Sequence, residues 1–204
     1  MKLEWYFNSG YPWGGRYDLP VIRRQQVSLD NLNLIRFSSI VKEETKNLDA
    51  TVHFFEPDER FDEVWNDPDA YLGELGQYRQ VLSPDFSLYS DRPLAEQIMN
   101  TFRSRWCGWY WQSNGLTVIP TVSWSTIRSF EFCFDGLPTG EVLAVSTVGN
   151  RDAEVPFMEG YRYMHKRLDP QAVICYGEPF DAMTDFSPLI EVPYARNARV
   201  APRK

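Results

Sequence analysis

The chain carries VLAVSTVGNRDAEVPFMEGYRYMHKRLDPQAVICYG at residues 142–177, and this stretch decides the fold. Its two ends, at 142–148 and 172–177, are short and almost continuously apolar, which is typical of strands covered on both faces. Between them, about 156–168 has the periodicity of a helix with one buried face. That face is formed by Phe157, Tyr161, Met164 and Leu168. A strand, a helix and a second strand in this order predict a βαβ unit with parallel strands.

The same alternation continues outside this unit. Further apolar, β-rich runs lie at about 33–41, 50–56, 79–83, 116–124 and 189–194. The clearest helix spans about 92–113, and a second covers about 59–77 with a break at Pro68. Alternating strands and helices predict an α/β protein with a mostly parallel sheet of about seven strands in βα units. The pattern favours an incomplete TIM-barrel-like arrangement, and an open doubly wound sheet is the alternative.

One folded unit is predicted, with a segment at each end. Residues 1–31 combine many aromatic residues with Gly and Pro, which predicts an N-terminal arm that packs on the body. Residues 32–195 are predicted to form a single α/β domain, because no repeat or shift in composition marks a second one. Residues 196–204 hold three arginines and one lysine, and we expect a basic C-terminal tail.

Composition and charge exclude several classes of protein. Of the 204 residues 43% are hydrophobic and 24% charged, so the chain can bury a core and is not a disordered or fibrous protein. We expect no membrane span, since no stretch approaches about 20 apolar residues. We also expect no secretory signal, since the N-terminus carries an acid at Glu4 and has no long apolar run. Three widely spaced cysteines indicate a reducing, cytoplasmic setting rather than disulfides or a zinc site. The net charge of −7 disfavours binding to nucleic acid.

The common catalytic motifs are absent from the sequence. It has no GxxxxGK[ST] phosphate-binding loop, no GxGxxG after a strand and no GxSxG turn. His53 and His165 are the only histidines, which excludes a histidine-rich metal centre. His53 lies within a predicted strand, where a buried and hydrogen-bonded histidine is the favoured interpretation. No cofactor is evident, but Mg²⁺ stays open because it needs only one or two carboxylates and water.

Polar residues at the carboxyl ends of the predicted strands form the candidate site. Ligands of parallel α/β proteins bind there, where the loops from several strands meet. Asp85 and Glu178 are the candidate catalytic carboxylates, as general bases or as ligands of Mg²⁺. The candidate ligand-binding residues are Ser87, Tyr89, Trp124, Ser146 and Thr147. Structural interpretations stay open beside these: a turn acid for Asp85, a solvated loop acid for Glu178 and a core aromatic for Trp124.

Two further features have both a structural and a functional interpretation. The acidic run from Glu56 to Asp69 is favoured as a solvated face, and its alternative is a surface for a partner. The aromatic cluster WCGWYW at 106–111 is favoured as packing rather than as a stacking platform for nucleic acid. The reason is that side chains on a helix point around its whole circumference and form no single flat surface.

Several uncommon runs of residues resemble one family, the domain of unknown function 4417. They are FDEVWNDPDAYL (61–72), PDFSLYSDRPLAEQIMNTFRSRWCGWYWQSNG (84–115), VIPTVSW (118–124), SFEFCFDGLP (129–138), VLAVSTVGN (142–150) and VICYGEP (173–179). The resemblance covers about residues 50–197 and leaves the arm before residue 30 outside. It implies a protein of bacteriophages or other mobile elements of bacteria, a cytosolic or infected-cell setting and one α/β domain. It implies no catalytic residues.

Three functional hypotheses follow. The first is a protein that binds, and in one version hydrolyses, a small polar or phosphorylated ligand at the carboxyl ends of its strands. The alternative is a non-enzymatic interaction or inhibitor protein that acts on a host protein through the acidic run and the aromatic arm. Nucleic-acid binding through Arg23, Arg24 and the basic tail is the least favoured, given the net charge.

Overall fold

The computed structural model describes residues 10–194, which begin with a short hairpin. Two short strands, β1 (Trp13–Gly14) and β2 (Leu19–Pro20), make an antiparallel hairpin. Tyr11 packs edge-on against the rings of Phe102 and Trp109. The aromatic residues Trp5, Tyr6 and Phe7 and the basic tail at 196–204, to which the sequence assigned packing and charge, lie outside the described residues.

Within residues 10–194, seven parallel strands form the centre of the protein, in two sheets. The first sheet contains β3 (Leu34–Arg36), β4 (Thr51–His53), β5 (Gln80–Leu82) and β6 (Val118–Ile119). The second contains β7 (Val142–Ser146), β8 (Ala172–Tyr176) and β9 (Leu189–Val192). In both sheets each strand pairs in parallel with the next one along the chain. The α/β class with parallel strands is therefore confirmed.

The prediction of about seven strands in one sheet was wrong. The ladder is interrupted between β6 and β7, where a single bridge pairs Thr121 with Ala144. Pro120 lies at this point and has no N–H group to donate, so it contributes only its carbonyl, which accepts from Ala144 at 2.9 Å. The strand order also never reverses within either sheet, and such a reversal is what a doubly wound sheet requires.

Two long helices cover the sheets, and two short ones replace a predicted longer one. The short helices are α1 (Glu63–Asn66) and α2 (Leu72–Leu75), and the long ones are α3 (Leu94–Ser113) and α4 (Glu154–Leu168). The predicted helix at 59–77 breaks where the break was expected. Asp67, which precedes Pro68, leaves the helical conformation with φ −141° and ψ 83°, since proline disfavours a helical residue before it.

In the described part of the chain, the core consists of three clusters of buried side chains. The first cluster packs α3 against the first sheet and contains Trp106 and Trp111, both fully buried, so the aromatic cluster at 106–111 is largely packing. The second packs α4 against the second sheet. The third lies between the two sheets and contains Leu82, Ile119, Val142, Ala144, Ala172 and Ile174. Side chains of both sheets thus share one apolar interior.

The segment that follows the hairpin lies against the amino ends of the strands. Gln80 at the start of β5 accepts a hydrogen bond from the Ser28 N–H at 3.1 Å and donates one to the Ser28 carbonyl at 2.8 Å. Val27, Leu29 and Leu32 pack against the cluster between the sheets. This end of the interior is therefore covered by the chain's own backbone. Among residues 10–194 no helix has the length and apolar character needed to cross a bilayer.

Candidate functional site

Asp85 follows β5 and has a buried carboxyl oxygen without a partner. Its Oδ1 atom is shielded from solvent and receives no hydrogen bond from the described residues. Burial raises the pKa of this carboxyl to about 7, and the nearby Asp58 carboxylate raises it as well. A hydrogen bond from Ser123 and the charge of Arg105 act in the opposite direction. Near neutral pH, Asp85 can therefore both hold and release a proton.

A second carboxylate, Asp58, lies beside it. Asp58 begins a short 3₁₀ helix (Asp58–Arg60) that follows the loop after β4. It accepts hydrogen bonds from the N–H of Ser87 at 3.2 Å and from its hydroxyl at 2.7 Å. Burial raises the pKa of Asp58, and the two bonds from Ser87 oppose that shift. We call Asp58, Asp85, Ser87 and Ser123 the Asp85 cluster.

Two arginines of α3 lie near the Asp85 cluster, and both are held by other groups. Buried Arg105 donates to the carbonyls of Asp135, Thr121 and Cys133 at 3.1, 3.2 and 2.6 Å. Arg103 forms an ion pair with Asp62 at 2.6 Å and lies 3.9 Å from the centroid of the Phe86 ring. These arginines supply positive charge near the cluster, but their geometry is set by the protein itself.

A second buried oxygen without a hydrogen-bond partner in the described chain lies beyond the end of β6. The hydroxyl of Thr121, directly after β6 and Pro120, is buried and has no partner among the described residues. Its backbone N–H donates to the Ser83 hydroxyl at 2.9 Å, which ties the ends of β5 and β6 together. Most buried polar atoms in proteins are hydrogen-bonded. Within residues 10–194, Asp85 and Thr121 therefore each carry an unpartnered oxygen at the end of a neighbouring strand. They are not alone among the described residues, since Trp111, Tyr161 and Ser187 also carry buried polar atoms without a partner.

Three of the predicted site residues lie elsewhere, at the ends of β7 and β8. The Thr147 hydroxyl is buried and donates to the Glu178 carbonyl at 2.8 Å, and the Ser146 hydroxyl donates to the Tyr176 carbonyl at 3.3 Å. The Glu178 carboxylate is 81% exposed and forms an ion pair with Arg151 at 2.5 Å. These side chains fasten the loops after the two strands to each other.

The two predicted aromatic ligands do not meet the other candidates. Trp124 faces α4, where its ring packs against Phe134 and Phe157 and covers Gly160. Tyr89 is 59% exposed on the loop before α3. Of the seven predicted residues, the structure brings together Asp85 and Ser87 in one place, and Ser146, Thr147 and Glu178 in another.

A group of rings lies at the ends of β4 and β8, and none of its residues was among the predicted site residues. His53, at the end of β4, lies 4.5 Å from the ring of Tyr176 across the interior, and Phe55 stacks on the same ring at 5.3 Å. Burial, and then the charge of Arg36, lower the pKa of His53 to about 3. Its Nδ1 accepts from the Phe55 N–H at 3.2 Å. The expectation of a buried, hydrogen-bonded histidine is confirmed.

The acidic run at 56–69 is largely bound within the protein. Besides Asp58 and Asp62, which pair with Ser87 and Arg103, the carboxylate of Glu56 accepts from Ser38, that of Glu63 from Tyr71 and that of Asp69 from Tyr110. These bonds join the loops after β4 to α3 and to the segment after β3. The run is therefore mainly a set of internal hydrogen-bond acceptors.

The residues that the sequence missed carried weak signals. Asp58 and Ser123 follow predicted strands, but Asp and Ser are ordinary turn and loop residues in any sequence. Arg105 lies between positions of α3 that are almost all buried, and a charged residue on such a face requires partners. The chain folds back onto α3 at residues 121 and 133–135, which supply the partners of Arg105. No sequence pattern predicts this contact.

Two cavities within residues 10–194 lie away from the Asp85 cluster. One of about 400 Å³ lies between α2 and the amino ends of β5 and β6, and a groove of about 480 Å³ lies beside α4. Neither is lined by the residues of the cluster. In the same part of the chain, no group of three or more His, Cys, Asp or Glu residues is placed to hold a metal ion.

Comparison with known proteins identifies relatives of this chain. A family model described as a domain of unknown function, DUF4417, matches residues 11–193, so the match includes most of the arm that the resemblance had left out. The Gene 1 protein of Mycobacterium phage L5 is 45% identical over 132 residues, 63% of this chain and 58% of the phage protein. The Gene 1 protein of Mycobacterium phage D29 is 37% identical over 173 residues, 82% of this chain and 63% of the phage protein. The chain thus spans about three fifths of these relatives, and no solved structure matches it.

Proposed function

This chain belongs to the DUF4417 family, whose relatives include bacteriophage proteins, and on that premise we propose that it binds a small polar ligand at the Asp85 cluster. The observation that carries the proposal is the Oδ1 atom of Asp85, which is buried without a hydrogen-bond partner among the described residues. Leaving such an atom unsatisfied costs on the order of 1–3 kcal/mol, a cost that a bound donor removes.

The chemistry of the cluster limits the ligand. Two carboxyl groups and two hydroxyls present mainly oxygen acceptors, so a ligand binds there through N–H or O–H donors. A phosphorylated ligand would need a cation between its phosphate and the acids. Mg²⁺ suits that place, with Asp58 and Asp85 as its protein ligands and the remaining positions filled by water and phosphate.

The proton of Asp85 gives the site a catalytic option. A carboxyl with a pKa of about 7 can accept a proton from water or from a ligand hydroxyl near neutral pH. For a ligand that binds without Mg²⁺, this proposal includes hydrolysis with Asp85 as the general base that takes a proton from the attacking water. When Mg²⁺ is bound, Asp85 is a ligand of the metal instead. Glu178, with its exposed carboxylate on Arg151, has no part in it.

The position of the cluster also agrees with the architecture that we propose, an incomplete TIM-like barrel within one domain at 32–195. Its support is that strand order follows the chain, that one bridge connects the sheets, and that both sheets contribute side chains to a common interior. In barrels of this kind, ligands bind at the carboxyl ends of the strands.

The alternative, an interaction protein that uses the acidic run on a host protein, has less support. Most of that run accepts hydrogen bonds from the protein itself, as with Asp69 and Tyr110 or Asp62 and Arg103. A partner would have to compete with these bonds. A ligand at Asp85 would instead satisfy an atom that has none within the described chain.

Binding can be tested with a defined panel of probes. Thermal unfolding of the wild-type protein, Asp85→Asn and Glu178→Gln would be measured with nucleosides, nucleoside mono-, di- and triphosphates and sugar phosphates, each with and without MgCl₂. We expect at least one probe to raise the Tm of the wild type and of Glu178→Gln but not that of Asp85→Asn. Native mass spectrometry of the same three proteins, purified from infected cells, would show a retained small molecule in the same two.

The result that would overturn the proposal is equally specific. A probe that stabilises Asp85→Asn as much as the wild type binds somewhere else. A panel without any shift, together with a purified protein of bare polypeptide mass, would leave the interaction protein as the better hypothesis. Circular dichroism of Asp85→Asn confirms that the variant is folded before either conclusion is drawn.

A further inference from the structure

We propose that the exposed face of α4 is a self-association surface, on which a second copy of this chain packs with its α4 antiparallel to the first. This inference does not depend on the Asp85 cluster, which lies next to α3.

The face combines apolar and charged side chains. Glu159, Arg162, Tyr163 and Lys166 are all exposed and follow one another at spacings of three, one and three residues, so they share one side of the helix. Beside them, a short 3₁₀ helix (Ile127–Glu131) forms the other wall of the groove of about 480 Å³. Ile127 in that wall is 65% exposed and Tyr163 is 41% exposed. The groove therefore exposes two large apolar side chains beside its charged ones.

The floor of the groove is formed by packed aromatic rings. Phe130 packs against Tyr163 with ring centroids 5.1 Å apart, and Phe134 packs against the same ring at 5.4 Å. Arg167 at the end of α4 forms an ion pair with Asp135, and Glu131 forms one with Arg16 at 3.1 Å. The remaining charges of this face, Glu159, Arg162 and Lys166, are those available to a partner.

The charges on this face of one copy are complementary to those on the same face of a second copy. In an antiparallel pair of α4 helices with a two-fold axis between positions 162 and 163, Glu159 of each copy faces Lys166 of the other. The same axis sets Arg162 of one copy against the Tyr163 ring of the other, which is a favourable cation–π arrangement. A single axis satisfies both pairs, as an isologous interface requires.

Other occupants fit this pattern less well. A nucleic acid or an anionic membrane is disfavoured by the net charge of −7. An acidic protein would leave Glu159 facing a like charge. A second copy supplies both signs in the required order.

Charge reversal tests the arrangement directly. Sedimentation equilibrium would be measured for the wild type, Glu159→Lys, Lys166→Glu and the double variant. We expect the wild type to dimerise and each single variant to dimerise about tenfold or more weakly, because two attractive pairs become repulsive. The double variant should regain the wild-type affinity. An equimolar mixture of the two single variants should form a heterodimer, since each reversed charge then meets its opposite.

Control variants show whether the effect on dimerisation is specific to this face of α4. Glu43→Lys and Lys42→Glu make the same changes of charge at exposed loop positions and should leave dimerisation unchanged. Ile127→Asp should weaken it, while far-UV circular dichroism stays that of the wild type. A wild-type protein that remains a monomer at every accessible concentration would overturn the proposal. So would single variants that do not recover when they are mixed.

Discussion

Gly160 on α4 lies directly beneath the indole of Trp124, and a Cβ atom at this position would overlap with the Nε1 atom. Glycine here is a requirement of packing, since its backbone is helical and needs no unusual φ. Trp124 is therefore fixed in the layer between α4 and the second sheet. This explains why Trp124, although it follows the end of β6, does not face the carboxyl ends of the strands.

Gly160→Ala should destabilise the protein by about 1–3 kcal/mol, because a methyl group forces the indole or the helix to move. Gly73→Ala is the matched control. Gly73 lies in α2 and is exposed, and a Cβ atom added there would meet no other atom within 4 Å, so the change should be neutral or slightly stabilising. Urea unfolding monitored by circular dichroism measures both. Equal stability of Gly160→Ala and the wild type would contradict this packing.

Patterns that repeat within a segment were sufficient to predict the elements of this fold. The apolar runs located all seven parallel strands, and the breaks at Pro68 and after Leu168 follow from local backbone chemistry. The division into two sheets could not be predicted, because it depends on how Pro120 meets Ala144, residues that are far apart in the chain. How far hydrogen bonding continues from one strand to the next depends on their register, which the sequence of one strand does not contain.

The candidate site was predictable only in part, for the same reason. Asp85 and Ser87 follow one strand, so their proximity is local. Asp58 joins them through the Ser87 hydroxyl across 29 residues, and no periodicity reports such a contact. Trp124 and Tyr89 share the residue types of ligand sites, yet side-chain direction beyond a strand end depends on the loop and not on the strand pattern.

Arg105 is the second residue whose substitution should be costly. It donates to three backbone carbonyls, of Asp135, Thr121 and Cys133, from a buried position. Arg105→Lys keeps the charge but loses the planar fork, which leaves buried carbonyls unsatisfied. We expect a loss of at least about 2 kcal/mol in urea unfolding. Arg128→Lys, at an exposed position, should lie within about 0.5 kcal/mol of the wild type. Similar losses in the two variants would contradict the role of these bonds.

His53 should remain neutral well below pH 6.5, the ordinary pKa of a histidine side chain. Its pKa is lowered from 6.5 to about 3 by burial and by Arg36, and its Nδ1 accepts a hydrogen bond, so the proton lies on Nε2. The unfolded chain binds a proton near pH 6.5 and the folded one does not. Stability should therefore fall as the pH drops from about 6.5 towards 3. With only two histidines, ¹⁵N NMR resolves each, and His165→Asn assigns them. An imidazolium signal from His53 at pH 5 would contradict the structure.

Asp85 should give the opposite dependence of stability on pH, between its ordinary pKa of 3.8 and its raised pKa of about 7. Because its pKa is raised from 3.8 to about 7, the folded state holds a proton that the unfolded state has already lost between these values. Stability from this group is complete below about pH 4 and is lost as the pH rises through 7.

The comparison of the wild type with Asp85→Asn isolates this effect, since Asp58, Ser123 and Arg105 face the same position in both proteins. The unfolding free energy of the wild type relative to the variant should fall between pH 4 and 7 by at most about 1.4 kcal/mol per pH unit. At pH 8 the variant should be the more stable protein, which is expected when an ionisable group is kept for a site and not for the fold. Parallel stability curves from pH 4 to 8 would show that Asp85 ionises normally, and the proton-transfer role proposed for it would then be wrong.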